Sequence, residues 1–195
     1  MACGVLRRAG RISAWCGVAL LVACATPPLA RVPVSDALTT YVLDARFGLR
    51  DRDSSYSGRL NWRHDPEGDS ILVQDPFGSG VAELEAGLQR ARMRLADGQV
   101  AESADGRELM HRLTGVALPV RELARWLTAR GPIDDAAAER DGQGRVVRRT
   151  AEGWRIDYRY EDDSADALPS RIVAANGGGI ELRLAIDAWT IGSGR

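Results

Sequence analysis

The sequence predicts a mainly β chain with a helical middle: one antiparallel sheet, long enough to curl, with two or three short helices between its halves. Three observations carry that prediction. From about Phe47 to Ala104, and again from Arg145 to Trp189, apolar residues recur at every second position, the period of strands with one buried and one wet face. Turn chemistry breaks these runs at roughly ten-residue spacing, as Pro66-Glu67-Gly68, Pro76-Phe77-Gly78 and Asp97-Gly98, which is the rhythm of a meander. Between Asp105 and Gly131 the period lengthens to that of a helix.

Residues 1–23 read as a signal peptide. Arg7, Arg8 and Arg11 precede an apolar run from about Ile12 to Ala23. A spanning helix needs roughly 20 apolar residues, and Gly17 interrupts this shorter run. Leu21-Val22-Ala23-Cys24 resembles the lipobox of bacterial lipoproteins, in which the Cys thiol receives a diacylglycerol and becomes the new N-terminus. Ala25, where an Asp would signal inner-membrane retention, favours outer-membrane delivery by the same resemblance. Cys24 is therefore the expected lipidation site. Cys3, Cys16 and Cys24 are the only cysteines, so the mature domain can form no internal disulfide and must be held by its core. Residues 24–34, with Pro27, Pro28 and Pro33, read as the acylated N-terminus and tether; residues 35–195 read as a single domain. Two or three acyl chains tether a protein to a membrane without crossing it.

In the domain, Ser35 or Asp36 offers a cap, and Leu38, Tyr41, Val42 and Ala45 fall at helical spacing, so a short helix is expected there. Strands follow, with Phe47 and Leu49, then Leu60 and Trp62, as the inward residues. "SILVQD" is a denser strand. Val81 opposes Ala82, Leu84 and Ala86 across the next, and Ala91, Met93 and Leu95 alternate with Arg90, Arg92 and Arg94. Asp105 caps a helix carrying Leu109, Met110, Leu113 and Val116, with Gly115 as its stop. Pro119 opens a second, with Val120, Leu123, Ala124 and Leu127 as its stripe, Trp126 beside it and Gly131-Pro132 as terminator. The last third returns to strands, with Trp154/Ile156/Tyr158/Tyr160 and Ile180/Leu182/Leu184/Ile186 in alternation.

Composition excludes more than it proposes. The 26 basic residues, all Arg, face 27 acidic ones; without the three signal arginines the balance is 23 against 27, or −4, with no excess to suggest nucleic acid. Only His64 and His111 exist, neither in a metal spacing, and no nucleophile elbow, zinc motif or phosphate loop is present. No cofactor, metal or catalytic residue is expected, and the chain does not read as an enzyme. The apolar residues facing inward could simply fill a core, or line a cavity for an apolar ligand. Arg90, Arg92 and Arg94 could meet anionic headgroups or belong to a wet sheet face. Phe77, a large ring in an Asp-Pro-x-Gly turn, is either buried under a neighbouring loop or touches a membrane.

The lipobox, the Asp75-Pro76-Phe77-Gly78 turn, "LTGVALPVRELARWL", "GWRIDY", "LPSRI" and the closing "LRLAIDAW" together resemble the LolB family, outer-membrane receptors for lipoproteins, over about Tyr41 to Trp189. The block from Gly115 to Trp126 is the most specific part. The resemblance implies a half-open antiparallel β-barrel with short α-helices forming a lid over a hydrophobic cavity. It implies a monomer that accepts lipoproteins from the periplasmic carrier LolA, shields their acyl chains and inserts them into the inner leaflet of the outer membrane, facing the periplasm and using no nucleotide. Pro76, Phe77 and Gly78 match the family's protruding loop, in which an exposed Leu is usual where this chain has Phe. The cavity is expected to take Leu60, Trp62, Leu84, Met93, Leu113, Trp126, Ile156, Ile172 and Leu184. The rival reading is a structural outer-membrane lipoprotein that scaffolds envelope proteins, with a filled core and Phe77 packed inside.

Overall fold

In a computed structural model, the structure describes residues 38–130 and 138–192. The expected signal peptide 1–23, Cys24 and the tether lie outside the described residues, as does Gly131-Pro132. Eleven strands form one antiparallel sheet: β1 Tyr41–Arg50, β2 Ser55–Asp65, β3 Gly68–Gln74, β4 Gly80–Gly87, β5 Ala91–Leu95, β6 Val100–Ser103, β7 Ala138–Arg140, β8 Val146–Ala151, β9 Trp154–Arg159, β10 Arg171–Asn176 and β11 Glu181–Ile191. Their spatial order is β6-β5-β4-β3-β2-β1-β11-β10-β9-β8-β7. The first and last strands thus pair at the centre, and two hairpin meanders extend from them in opposite directions. Among the described residues the outermost strands, β6 and β7, do not pair, so the sheet is an open half-barrel.

One face of that sheet is apolar. Leu43 and Leu49 on β1, Leu60 and Trp62 on β2, Leu84 on β4, Met93 on β5, Ile156 on β9 and Leu184 on β11 are all buried on it. The helices α1 Gly106–Thr114 and α2 Val120–Leu127 pack over this face, α1 against β4 to β6 and α2 against β3. Asp105 caps α1 through its carboxylate, which accepts from Arg107 N at 2.9 Å, and Gly115 ends it at φ 74°. The left-handed conformation there suits Gly, which has no Cβ to clash.

Two expectations need correction, and β11 carries an irregularity besides. The helix expected over Leu38 to Ala45 is strand β1 from Tyr41 onward. Its spacing also satisfies alternation, with Tyr41, Leu43 and Ala45 buried, and pairing on both sides with β2 and β11 outweighs a marginal helical preference. The alternation of β11 does not run unbroken into "DAW". A bulge opposite Asp44/Ala45 shifts its parity after Ile186 and turns Trp189 inward, where its ring meets that of Tyr41 edge-on at 5.5 Å. Finally, α2 ends at Leu127, before Gly131-Pro132. Ala129 at φ 55° turns the chain, a conformation that costs a non-glycine residue roughly 1 kcal/mol.

Candidate functional site

The space between helices and sheet is apolar and nearly filled. A cavity of about 60 Å³ remains, bounded by Phe47, Leu60, Trp62, Leu113, Leu123 and Leu184 among others. Thr114 is the one polar side chain in its wall, and its hydroxyl donates to Met110 O at 2.8 Å, so no free polar group faces the space. Of the expected cavity residues, Leu60, Trp62, Leu113 and Leu184 meet here. Leu84, Met93, Trp126, Ile156 and Ile172 are buried on either side and fill the core away from it. Phe47, an inward residue by alternation though not among the expected cavity residues, lines the cavity too, as do Ile71 and Val73, which alternation had not singled out. The volume is far below the roughly 300–1,000 Å³ of a small-molecule site, so in this conformation the interior is nearly filled.

The two helices are attached differently. Tyr41 on β1 donates its hydroxyl to Ala124 O at 2.6 Å, and Tyr158 on β9 donates to Trp126 O at 2.9 Å. Both carbonyls belong to the last turn of α2, where no intrahelical donor exists, so the sheet completes the helix end. Burial pushes both phenols well above their ordinary range, so both remain protonated donors at neutral pH; the nearby Asp69 charge adds to this at Tyr41, while Arg149 works against it at Tyr158. By contrast, α1 closes on itself, with Gly115 N donating to His111 O and Thr114 to Met110 O. Its polar ties to the rest are at its N-terminal half, Glu108 with Ser103 and Arg107 with Glu122 of α2. Neither pinning tyrosine carried a legible signal for this role: Tyr158 reads only as a place in an alternating strand, and Tyr41 reads at helical spacing.

The histidines make no nucleophile pair among the described residues. His64 Nδ1 lies 2.9 Å from Asp69 Oδ1, which also accepts from Trp62 Nε1 at 2.8 Å; the buried carboxylate thereby holds the indole in the core. His111 lies on the exposed side of α1.

Phe77 stands apart from all of this. At 96% exposure it is the most exposed large apolar residue described. The turn beneath it is braced by its own backbone: Asp75 Oδ1 accepts from Phe77 N at 2.8 Å and from Ser79 N at 2.9 Å, and Gly78 N donates to Asp75 O at 3.0 Å. Those bonds, led by that from Ser79, hold the Asp75 carboxyl below its usual range. Gln74 on β3 donates its amide to Gly78 O at 3.0 Å, tying the turn to the outer face of the sheet. The turn thus presents an apolar ring to solvent in a fixed position.

Arg92 and Arg94 sit on the outer face opposite acids of neighbouring strands, 3.8 Å from Glu102 and Glu83. Arg90 lies in the bend before β5.

A family model described as outer membrane lipoprotein LolB matches residues 39–189. The chain is 36% identical over 184 residues to the outer-membrane lipoprotein LolB of Dechloromonas aromatica, covering 92% of this chain and 96% of that protein. It is 36% identical to that of Azoarcus over 176 residues, 89% and 91% of the two chains, and 35% identical to that of Thiobacillus denitrificans over 170 residues, 85% and 89%. Among solved structures, a LolA superfamily protein of Nitrosomonas europaea aligns with a TM-score of 0.47 at 9% identity, over 83% of this chain and 90% of that one.

Proposed function

The chain belongs to the LolB family of outer-membrane lipoproteins, and from that premise we propose that it is the receptor that takes lipoproteins from the carrier LolA, holds their acyl chains between helices and sheet, and delivers them to the outer membrane. Family membership supports the outer-membrane location and the part in lipoprotein localisation; the steps below are the proposal. Cys24 carries the lipid anchor, the domain faces the periplasm as a monomer, and the handover involves binding with no covalent chemistry. The observation that carries the reading is Phe77, an apolar ring held out into solvent by a rigid turn. A scaffold with a filled core would have packed that ring inside.

The driving force is burial. Each acyl methylene left in water costs about 0.8 kcal/mol, so the chain must pass from one apolar enclosure to the next. The nearly filled interior, with about 60 Å³ of free space, admits no acyl chain until a helix separates from the sheet. Because α2 is pinned at its end by Tyr41 and Tyr158, α1 is the element that moves. The apolar residues around the present cavity, Leu60, Trp62, Leu113 and Leu184, are the first that an entering chain meets.

The test follows a labelled lipoprotein from a loaded carrier onto the mature chain carrying Cys24→Ala, then into liposomes, beside a Phe77→Glu version. Both proteins should take the label, and Phe77→Glu should retain it. A chain that never takes label from a competent carrier would move the scaffold reading to first place. Equal delivery by both versions would remove Phe77 from the mechanism.

A further inference from the structure

The outer face of the sheet carries two arrangements of charge. On the β3 to β6 side, neighbouring strands oppose unlike charges: Glu83 faces Arg94, Glu85 faces Arg92, and Arg92 faces Glu102. Across the centre the pattern is reversed. Arg59 on β2 directly faces Arg46 on β1, Arg46 faces Ala185 on β11, Ala185 faces Arg171 on β10, and Arg171 faces Arg159 on β9. Four arginines therefore stand in one row across five strands, a span of roughly 19 Å at the usual strand spacing of about 4.8 Å. Two of the cross-strand pairs put like charges directly opposite, which destabilises a sheet. Arg46 has a partner in Asp187 at 2.9 Å; Arg59, Arg159 and Arg171 have no ion pair or hydrogen bond at their side chains in the described structure. Arg148 and Arg183 in the next row are compensated, by Asp157 and Glu139 and by Glu181. Over the β1 to β9 part of the row lies an open groove of about 870 Å³, lined by Arg46, Arg159 and Arg171 and, in the compensated row beside them, by Arg148, Arg183, Asp157 and Glu139; Arg59 lies beyond its edge, and Gly48 and Ala185 in the floor leave room between the guanidinium groups.

The row does not end at random. Arg59 faces Gln74, and Gln74 is the residue whose amide holds Gly78 of the Phe77 turn. A surface that receives the Phe77 ring therefore brings the near end of the row to the level of its polar headgroups. We propose that this arginine row is a binding site for the phosphates of anionic phospholipids, which neutralise its self-repulsion when the Phe77 turn enters the membrane. The proposal rests on the membrane-touching reading of Phe77 and adds to it a lipid-class preference located on the opposite face of the sheet from the acyl cavity. It differs from the Arg90, Arg92 and Arg94 set suggested by linear spacing, two of which are already paired with carboxylates.

The test uses the mature chain carrying Cys24→Ala and measures co-sedimentation with vesicles of phosphatidylcholine alone or with about one third phosphatidylglycerol, at low and high salt. A basic residue at an anionic membrane surface is worth roughly five-fold in affinity, so Arg59→Gln/Arg159→Gln/Arg171→Gln should lower binding to the anionic vesicles on the order of 100-fold and leave the neutral vesicles unaffected. Arg92→Gln/Arg94→Gln, a charge loss on the paired half, should lower it only a few-fold. The row variant should also melt no lower than the parent, since it removes like-charge pairs. Unchanged binding by the row variant overturns the site, and so does an equal loss from the paired half, which would make it a net-charge effect. Stronger capture by soluble polyglutamate than by the anionic vesicles would assign the row to an acidic protein instead. Phe77→Glu separates the two ideas. If the row variant loses anionic preference while Phe77→Glu binds normally, the Phe77 reading fails and the row stands; the converse leaves Phe77 and removes the row.

Discussion

The Phe77 turn and helix α2 both bring an aromatic residue to an apolar task, yet they are held in opposite ways. The turn is fixed within five residues, by Asp75 and the amides of Phe77 and Ser79. The end of α2 is fixed by hydroxyls that are 83 and 32 residues away in sequence, on Tyr41 and Tyr158. Trp126 is buried among strands; Phe77 touches almost nothing. A locally braced element can vary its exposed residue without involving the fold. In the interior, by contrast, binding an acyl chain and holding the domain together draw on the same side chains. That is why the delivery step can be tested cleanly at Phe77, and why substitutions in the cavity wall confound binding with folding.

The contrast can be broken or sharpened by stability measurements. The largest effect is expected from Leu84→Ala, which empties a site 1% exposed at the centre of β4 and should cost about 2–5 kcal/mol by denaturant titration. A loss under 1 kcal/mol would mean the sheet interior is loosely packed. Next, Tyr158→Phe leaves the Trp126 carbonyl with only the backbone amides of the turn after the helix, and should cost about 0.5–1.5 kcal/mol. It should also increase hydrogen exchange in the last turn of α2 more than in α1. Uniform acceleration in both helices would show that they open as one unit, against the assignment of α1 as the mobile element.

Smaller effects belong to the turn. Asp75 titrates below the ordinary aspartate value of about 3.9, so its bracing is complete above that value and is lost only as the pH falls through the lower folded-state value. The amide signals of Phe77 and Ser79 should shift together in an acid titration with a midpoint below 3.9; a midpoint at or above it would remove the carboxylate from its bracing role. At the bottom of the scale, Phe77→Glu should change stability by no more than about 0.5 kcal/mol while abolishing delivery, because the ring packs against nothing.

Much of the sheet was legible because a surface with one buried face imposes a period of two on any sequence that forms it. Leu60/Trp62, Leu84, Met93 and Ile156 follow that rule. The caps of α1 were legible for a local reason as well, since Asp105 and Gly115 act on amides and carbonyls within a turn of themselves. The first half of β1 was not, because Leu38, Tyr41, Val42 and Ala45 suit a helix as well as a strand, and only pairing with β2 and β11 decides between them. β6 and β7, four and three residues long at the sheet edges, have too few positions to show a period.

For the candidate site the division falls along the same line. Alternation and turn chemistry, read from the sequence, determined which residues face inward, where the meander turns, and that a phenylalanine sits at the tip of a Pro-x-Gly turn. Tertiary structure decided that the ring points to solvent, that only some inward residues meet at the cavity, and that tyrosines of β1 and β9 pin the end of α2. It also decided that arginines at 46, 59, 159 and 171 form a row while those at 92 and 94 are neutralised. The reason is physical. Caps, turns and alternation act between residues a few positions apart, whereas neighbours across a sheet whose first and last strands pair at its centre can lie 141 residues apart, as Arg46 and Asp187 do, or further, and no local pattern records which of them will meet.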